Sequence, residues 1–146
     1  MSYDIYLADE DCTCISSQRI QEGGTQLVGG TTECHLNITY NYSTLYRLTL
    51  DKEKGLRWLH GKTGRDTIGR LENAVELLGT HQYERNVDNC DKCGFTCGYG
   101  EGLSDPMLPE NRRSDYWAPT AGNAGYALNI LLGWAREHPN GKWWGD

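Results

Sequence analysis

The segment Pro119-Thr120-Ala121-Gly122-Asn123-Ala124-Gly125-Tyr126-Ala127-Leu128-Asn129-Ile130-Leu131-Leu132-Gly133-Trp134-Ala135 decides the fold class once it is set beside Ser2-Tyr3-Asp4-Ile5-Tyr6-Leu7. In the first, Ala124, Ala127, Leu128, Leu131, Leu132 and Ala135 recur at helical steps and form one apolar stripe. Pro119-Thr120 opens this helix and Pro139-Asn140-Gly141 ends it. Gly122, Gly125 and Gly133 each weaken it by about 1 kcal/mol relative to Ala, so they predict close approach of another backbone to the bare face. In the second segment, Tyr3, Ile5 and Leu7 alternate with Asp4 and Tyr6, the pattern of a half-buried strand. Asp9, Glu10 and Asp11 end it.

Outward from these two anchors the chain reads in order. Gly23-Gly24 and Gly29-Gly30 bracket residues 25–28, a short hairpin arm between turns. Leu36, Ile38, Tyr40 and Tyr42 alternate with Asn37, Thr39 and Asn41, predicting a strand through residue 42. Residues 45–50 fit either a third strand or a helix begun at Ser43. Ile68, Leu71, Val75 and Leu78 give a helix over 66–78, capped by Asp66 or Thr63 and closed by Gly79. Residues 86–115 have no period, and a stretch that long needs something other than a hydrophobic pattern to order it. Trp143 and Trp144 form an aromatic tail that must fold back or bind. Strands first and helices second predict an α+β protein. Its small N-terminal antiparallel sheet packs on two or three C-terminal helices. The chain forms one domain, 1–146, with a Cys-rich inserted loop at about 86–113.

At 146 residues the chain can close one core but not two. Apolar residues at 38% and charged residues at 23% lie within the globular range. No apolar run approaches the ~18 residues of a membrane span, and Met1-Ser2-Tyr3-Asp4 does not read as a signal peptide. A net charge of −6 argues against a general nucleic-acid-binding surface. Nine Tyr and five Trp stand against one Phe, a bias toward rings with polar tips that suits shallow cores and contact surfaces.

Six cysteines fall at Cys12, Cys14, Cys34, Cys90, Cys93 and Cys97. The gaps in Cys90-Asp91-Lys92-Cys93-Gly94-Phe95-Thr96-Cys97 let one loop present three thiolates to a tetrahedral metal. Cys12, Cys14, His35 and His81 are candidates for the fourth ligand. A structural zinc is therefore expected, with disulfides or unligated thiols as alternatives. Disulfides fit poorly with a cytosolic chain.

Other motifs carry less. Gly61-Lys62-Thr63 departs from a phosphate loop, since Leu56 stands where the pattern needs Gly, and a turn into the following helix explains it better. Asn37-Ile38-Thr39 and Asn41-Tyr42-Ser43 are glycosylation triplets, without meaning in a chain that is not secreted. Cys34-His35 could offer a nucleophile beside a base, but a packed Cys and a surface His account for it better. Asn37, Thr39 and Asn41 share one face of the expected strand. With Thr31, Thr32 and Lys62-Thr63 on neighbouring loops they are the candidate ligand-binding residues, the alternative being a wet sheet face.

Met1-Ser2-Tyr3-Asp4-Ile5-Tyr6-Leu7, Gly29-Gly30-Thr31-Thr32-Glu33, Leu36-Asn37-Ile38-Thr39-Tyr40-Asn41-Tyr42-Ser43, Gly61-Lys62-Thr63-Gly64 and Pro119-Thr120-Ala121-Gly122-Asn123-Ala124 together resemble small bacteriophage and prophage accessory proteins. The closing Pro139-Asn140-Gly141-Lys142-Trp143-Trp144-Gly145-Asp146 is similar to their characteristic end. The likeness leaves out 8–22 and about 86–113, which hold five of the six cysteines. That departure implies that the two segments meet and share one metal. The resemblance brings no catalytic residues. It implies a soluble accessory protein acting in the bacterial host cytoplasm during infection.

The leading expectation is a non-enzymatic phage protein that binds a host protein or protein–RNA complex and inhibits it, in the manner of an anti-CRISPR or other anti-defence protein. No direct nucleic-acid or membrane partner is expected. Acidic inhibitors can occupy surfaces built for phosphate, and Asp4, Asp9, Glu10, Asp11, Glu101 and Asp105 are the charges to test. Alternatives are a small-ligand binder that sequesters a nucleotide signal, a small enzyme using Cys34/His35 or metal-bound water, and a virion component. An all-thiolate metal has no open position, which favours structure over catalysis.

Overall fold

The computed structural model describes residues 2–20, 31–80 and 119–145. The expected hairpin arm at 25–28 and the Cys-rich insertion lie outside them. The elements are strands β1 (Ser2–Ala8), β2 (Ser16–Ile20), β3 (Thr31–Glu33), β4 (His35–Thr39) and β5 (Lys142–Gly145), with helices α1 (Ser43–Thr49), α2 (Gly64–Leu78) and α3 (Ala121–Glu137). Short 3-10 turns occupy Tyr40–Tyr42 and Gly55–Leu59. The class is α+β, as the order of patterns predicts.

The main sheet is antiparallel, in the order β4-β1-β5. It is therefore not wholly N-terminal. The tail folds back, so that the last strand pairs with the first, Leu7 opposite Trp143 and Tyr6 opposite Trp144. Gly145 makes this possible: it sits at φ 149°, and a Cβ there would lie 2.0 Å from the Asp4 carbonyl oxygen. On the far side of β5 the segment 61–63 adds one more rung. Gly61 N–H donates to the Trp143 carbonyl at 2.8 Å, and Trp143 N–H donates to the Lys62 carbonyl at 2.9 Å. The backbone of Gly61-Lys62-Thr63 thus pairs with a strand and does not cradle phosphate. A second, two-stranded sheet joins β2 and β3.

β4 ends three residues earlier than the alternation predicts. The Thr39 hydroxyl accepts the Asn41 N–H at 3.3 Å and caps the Tyr40–Tyr42 turn. A local side-chain cap here outcompetes the ladder, as Thr side chains do at strand-to-helix corners. The turn runs directly into α1, which settles the 45–50 stretch as helix through Thr49, with Leu50 as its C-cap.

α2 and α3 are capped by Thr63, accepting from Asp66 N–H, and by Thr120, accepting from Asn123 N–H, both at 3.2 Å. The helices cross tightly because glycine stands at both contacts. A Cβ on Gly125 would fall 1.7 Å from the Gly79 carbonyl oxygen, and one on Gly64 would fall 2.8 Å from the His138 carbonyl. Each contact joins the start of one helix to the end of the other, so the pair is antiparallel. The close approach expected at the α3 glycines is real at Gly125, whereas Gly133 faces open space.

One core fills the space between sheet and helices. Ile5, Leu7, Leu36, Ile38 and Trp143 come from the sheet; Leu71, Ala74 and Leu78 from α2; and the whole expected stripe of Ala124, Ala127, Leu128, Leu131, Leu132 and Ala135 from α3. Burying each aliphatic side chain of Leu or Ile size contributes roughly 1.5–3 kcal/mol. Among the described residues no helix is long and apolar enough to cross a membrane.

Candidate functional site

Alternation turns Tyr3, Ile5 and Leu7 into the core and sends Ser2, Asp4 and Tyr6 to the other face of the sheet. That outer face carries no helix among the described residues. The register makes Tyr6 the partner of both His35 on β4 and Trp144 on β5. Directly opposed residues share a face, so His35, Tyr6 and Trp144 form one aromatic row across all three strands. Tyr6 and His35 meet edge to face, with ring centroids 6.3 Å apart. Trp144 is 37% exposed, whereas its neighbour Trp143 is fully buried.

Charged groups flank the row on opposite sides. Lys142, opposite Ala8, holds its ammonium 5.9 Å from the Trp144 ring centroid. On the other side lies Asp4, opposite Asn37. Asn37 Nδ2 donates to Asp4 Oδ1 at 2.9 Å and to Ser2 Oγ at 2.7 Å, and His35 Nε2 stands 3.6 Å from the same Oδ1. Asp4 Oδ2 has no hydrogen-bond partner among the described residues. Asp4, Tyr6, His35, Trp144 and Gly145 line a shallow depression of about 500 Å³, open to solvent. Such a face can recognise a flat ring or a cation and holds one carboxylate in a fixed position.

The residues singled out for ligand binding do not assemble as one pocket wall. Asn37 lies on the outer face, but its amide is engaged in fixing Asp4. Thr39 is buried and caps a turn. Asn41 leaves the strand face because β4 has already ended. Thr31 is in β3 and not on a loop, paired with Ile20. Lys62 belongs to the opposite edge of the sheet from Asn37, beyond β5. Its ammonium donates to the Trp58 carbonyl at 2.7 Å and lies 4.7 Å from the Trp58 ring centroid. Cys34 and His35 cannot act as a pair, since Cys34 is fully buried and the next residue, His35, is exposed on the outer face.

Of the expected metal ligands, Cys90, Cys93 and Cys97 lie outside the described residues, as do His81, Glu101 and Asp105. Cys12 and Cys14 bound the tight connection after β1. There the Asp9 carboxylate accepts the N–H groups of Asp11 and Thr13 at 2.9 and 3.0 Å, and Ala8 bridges to Cys14. Cys12 is exposed at φ 61°. Cys14 is half-buried; burial, and after it the Glu33 carboxylate, pushes its thiol pKa up. Among the described residues no three His, Cys, Asp or Glu side chains gather as a metal site.

Sequence reasoning missed Tyr6, His35 and Trp144 as a unit. The available signal was the Trp143-Trp144 pair itself, because in any strand adjacent residues face opposite sides and one of the two had to stay outside. Compared with protein-family models, curated proteins and solved structures, the chain finds no match.

Proposed function

We propose that the protein is a non-enzymatic binding protein that engages a macromolecular partner through the outer face of its sheet. The observation that carries this is the aromatic row His35–Tyr6–Trp144, exposed on a rigid three-stranded support. Tyr and Trp are enriched among residues that anchor interfaces, and anchors of this kind are worth about 2 kcal/mol or more each. A sheet fixes their positions before contact, which lowers the ordering cost of binding. The motif resemblance, with the acidic charge and the Tyr/Trp bias, supports a host component of a bacterial defence system as the partner, which the bound protein inhibits. Acidic Asp9, Glu10 and Asp11, all exposed, add to the negative side of the molecule.

The test is recovery of the tagged chain from a bacterial host, comparing wild type with Trp144→Ala and with Glu76→Ala on the exposed side of α2. A stoichiometric partner retained by wild type and Glu76→Ala but lost from Trp144→Ala is the expected result. Equal retention by all three proteins would remove the sheet face from the proposal.

A further inference from the structure

We infer that the depression beside the aromatic row is a cation subsite that takes the guanidinium of an arginine presented by a basic partner surface. This inference rests on the proposal that the outer sheet face is the contact surface, and it specifies the chemistry that face selects.

Three features of the depression agree. First, its walls are rings: Tyr6 and Trp144 are cross-strand neighbours, and the faces of such rings attract cations electrostatically. The molecule already satisfies this preference once, because Lys142 rests its own ammonium over Trp144. Second, the side of the row away from Lys142 ends in the Asp4 carboxylate. Asn37 fixes that group through Oδ1, which His35 Nε2 also approaches at 3.6 Å, so the side open to an incoming guanidinium is Oδ2. Third, Gly145 completes the lining with backbone alone, since a Cβ there would fall 2.0 Å from the Asp4 carbonyl oxygen.

Guanidinium fits this arrangement better than ammonium. It is planar, stacks on aromatic faces and presents several N–H donors at once to a carboxylate. A phosphate or a carboxylate ligand would meet Asp4 directly and be repelled. The net charge of −6 draws a basic surface toward the molecule before contact.

The experiment uses the full chain, 15N-labelled, and follows the Trp144 indole N–H and the Tyr6 and Asp4 amides by NMR. The probes are a capped Gly-Arg-Gly peptide and its citrulline counterpart, which keeps the shape and removes the charge. The arginine peptide is expected to shift these resonances saturably. The citrulline peptide should bind at least about fivefold more weakly, as should the arginine peptide to Asp4→Asn. Lys142→Gln removes the positive charge from the far side of Trp144 and should tighten arginine binding about twofold. Asp4→Asn keeps the Asn37 hydrogen bond, so its fold is expected to match wild type, and Trp144→Phe provides a second variant with the ring retained.

Equal shifts from arginine and citrulline, or none from either, would overturn the inference. If partner recovery depends on Trp144 but is indifferent to Asp4→Asn, the guanidinium assignment fails while the contact face stands. If recovery is indifferent to Trp144 as well, the contact face fails.

Discussion

The indole N–H of Trp143 donates to the Thr67 hydroxyl at 2.9 Å, and both groups are buried. Residues 76 apart in sequence are thereby joined, the last strand to the second helix. The same hydroxyl donates to the Gly64 carbonyl at 2.8 Å. Thr67→Val deletes both bonds and leaves the indole unpaired in the core, which is expected to cost about 1–3 kcal/mol in urea unfolding. Thr67→Ser keeps the hydroxyl and should lose less. Equal losses for Val and Ser would assign the effect to packing and not to the bond.

Two glycines of α3 should respond with opposite signs. Gly125→Ala forces a methyl into the Gly79 carbonyl and should destabilise by about 1–3 kcal/mol or more. Gly133→Ala meets nothing within 4 Å and should stabilise by about 0.4–1 kcal/mol. Thermal melts of the two variants are sufficient to check this.

These helices illustrate what was legible in the chain. The α3 stripe and the β1 alternation are local periods, so the sequence shows them without knowledge of the partners. The caps Thr63 and Thr120 are equally local. Where β4 ends was less legible, because Tyr40 and Tyr42 continue the apolar alternation and only the competing Thr39 cap stops the strand. The candidate site was least legible. His35, Tyr6 and Trp144 come from three distant segments, and their alignment exists only through the register of two strand pairings. Lys142 to Gly145 is too short to display a period of its own.

Asp51 gives a prediction for acid. Its carboxylate accepts the Lys54 N–H at 2.7 Å and the Glu53 N–H at 3.0 Å, with Arg70 at 3.7 Å. The Lys54 bond leads in holding its pKa below the usual carboxylate value. A carboxyl depressed in the folded state binds more protons when unfolded. Its contribution is therefore complete above the unfolded pKa and is lost as pH falls through the folded one. Stability should drop less between about pH 5 and about pH 3 in Asp51→Ala than in wild type. An identical drop would show that the turn does not contribute through this carboxylate.

We propose zinc at Cys90, Cys93 and Cys97 on their spacing, with the resemblance favouring Cys12 or Cys14 as the fourth ligand. Native mass spectrometry of protein purified without chelator should show one zinc per chain with all six cysteines reduced. A metal-free mass, lower by two hydrogens for each bridge, would replace zinc with disulfides. After chelation, exposed Cys12 should be alkylated well before buried Cys34.

The central claim is that the outer sheet face is where the protein meets its partner. The most direct measurement replaces Trp144, and separately Glu76 on α2, with a photo-crosslinking residue and irradiates the protein in host cells. A single crosslinked partner at position 144 and none at 76 is the expected result. Crosslinks at 76 with none at 144 would contradict the account and move the contact surface to the helices.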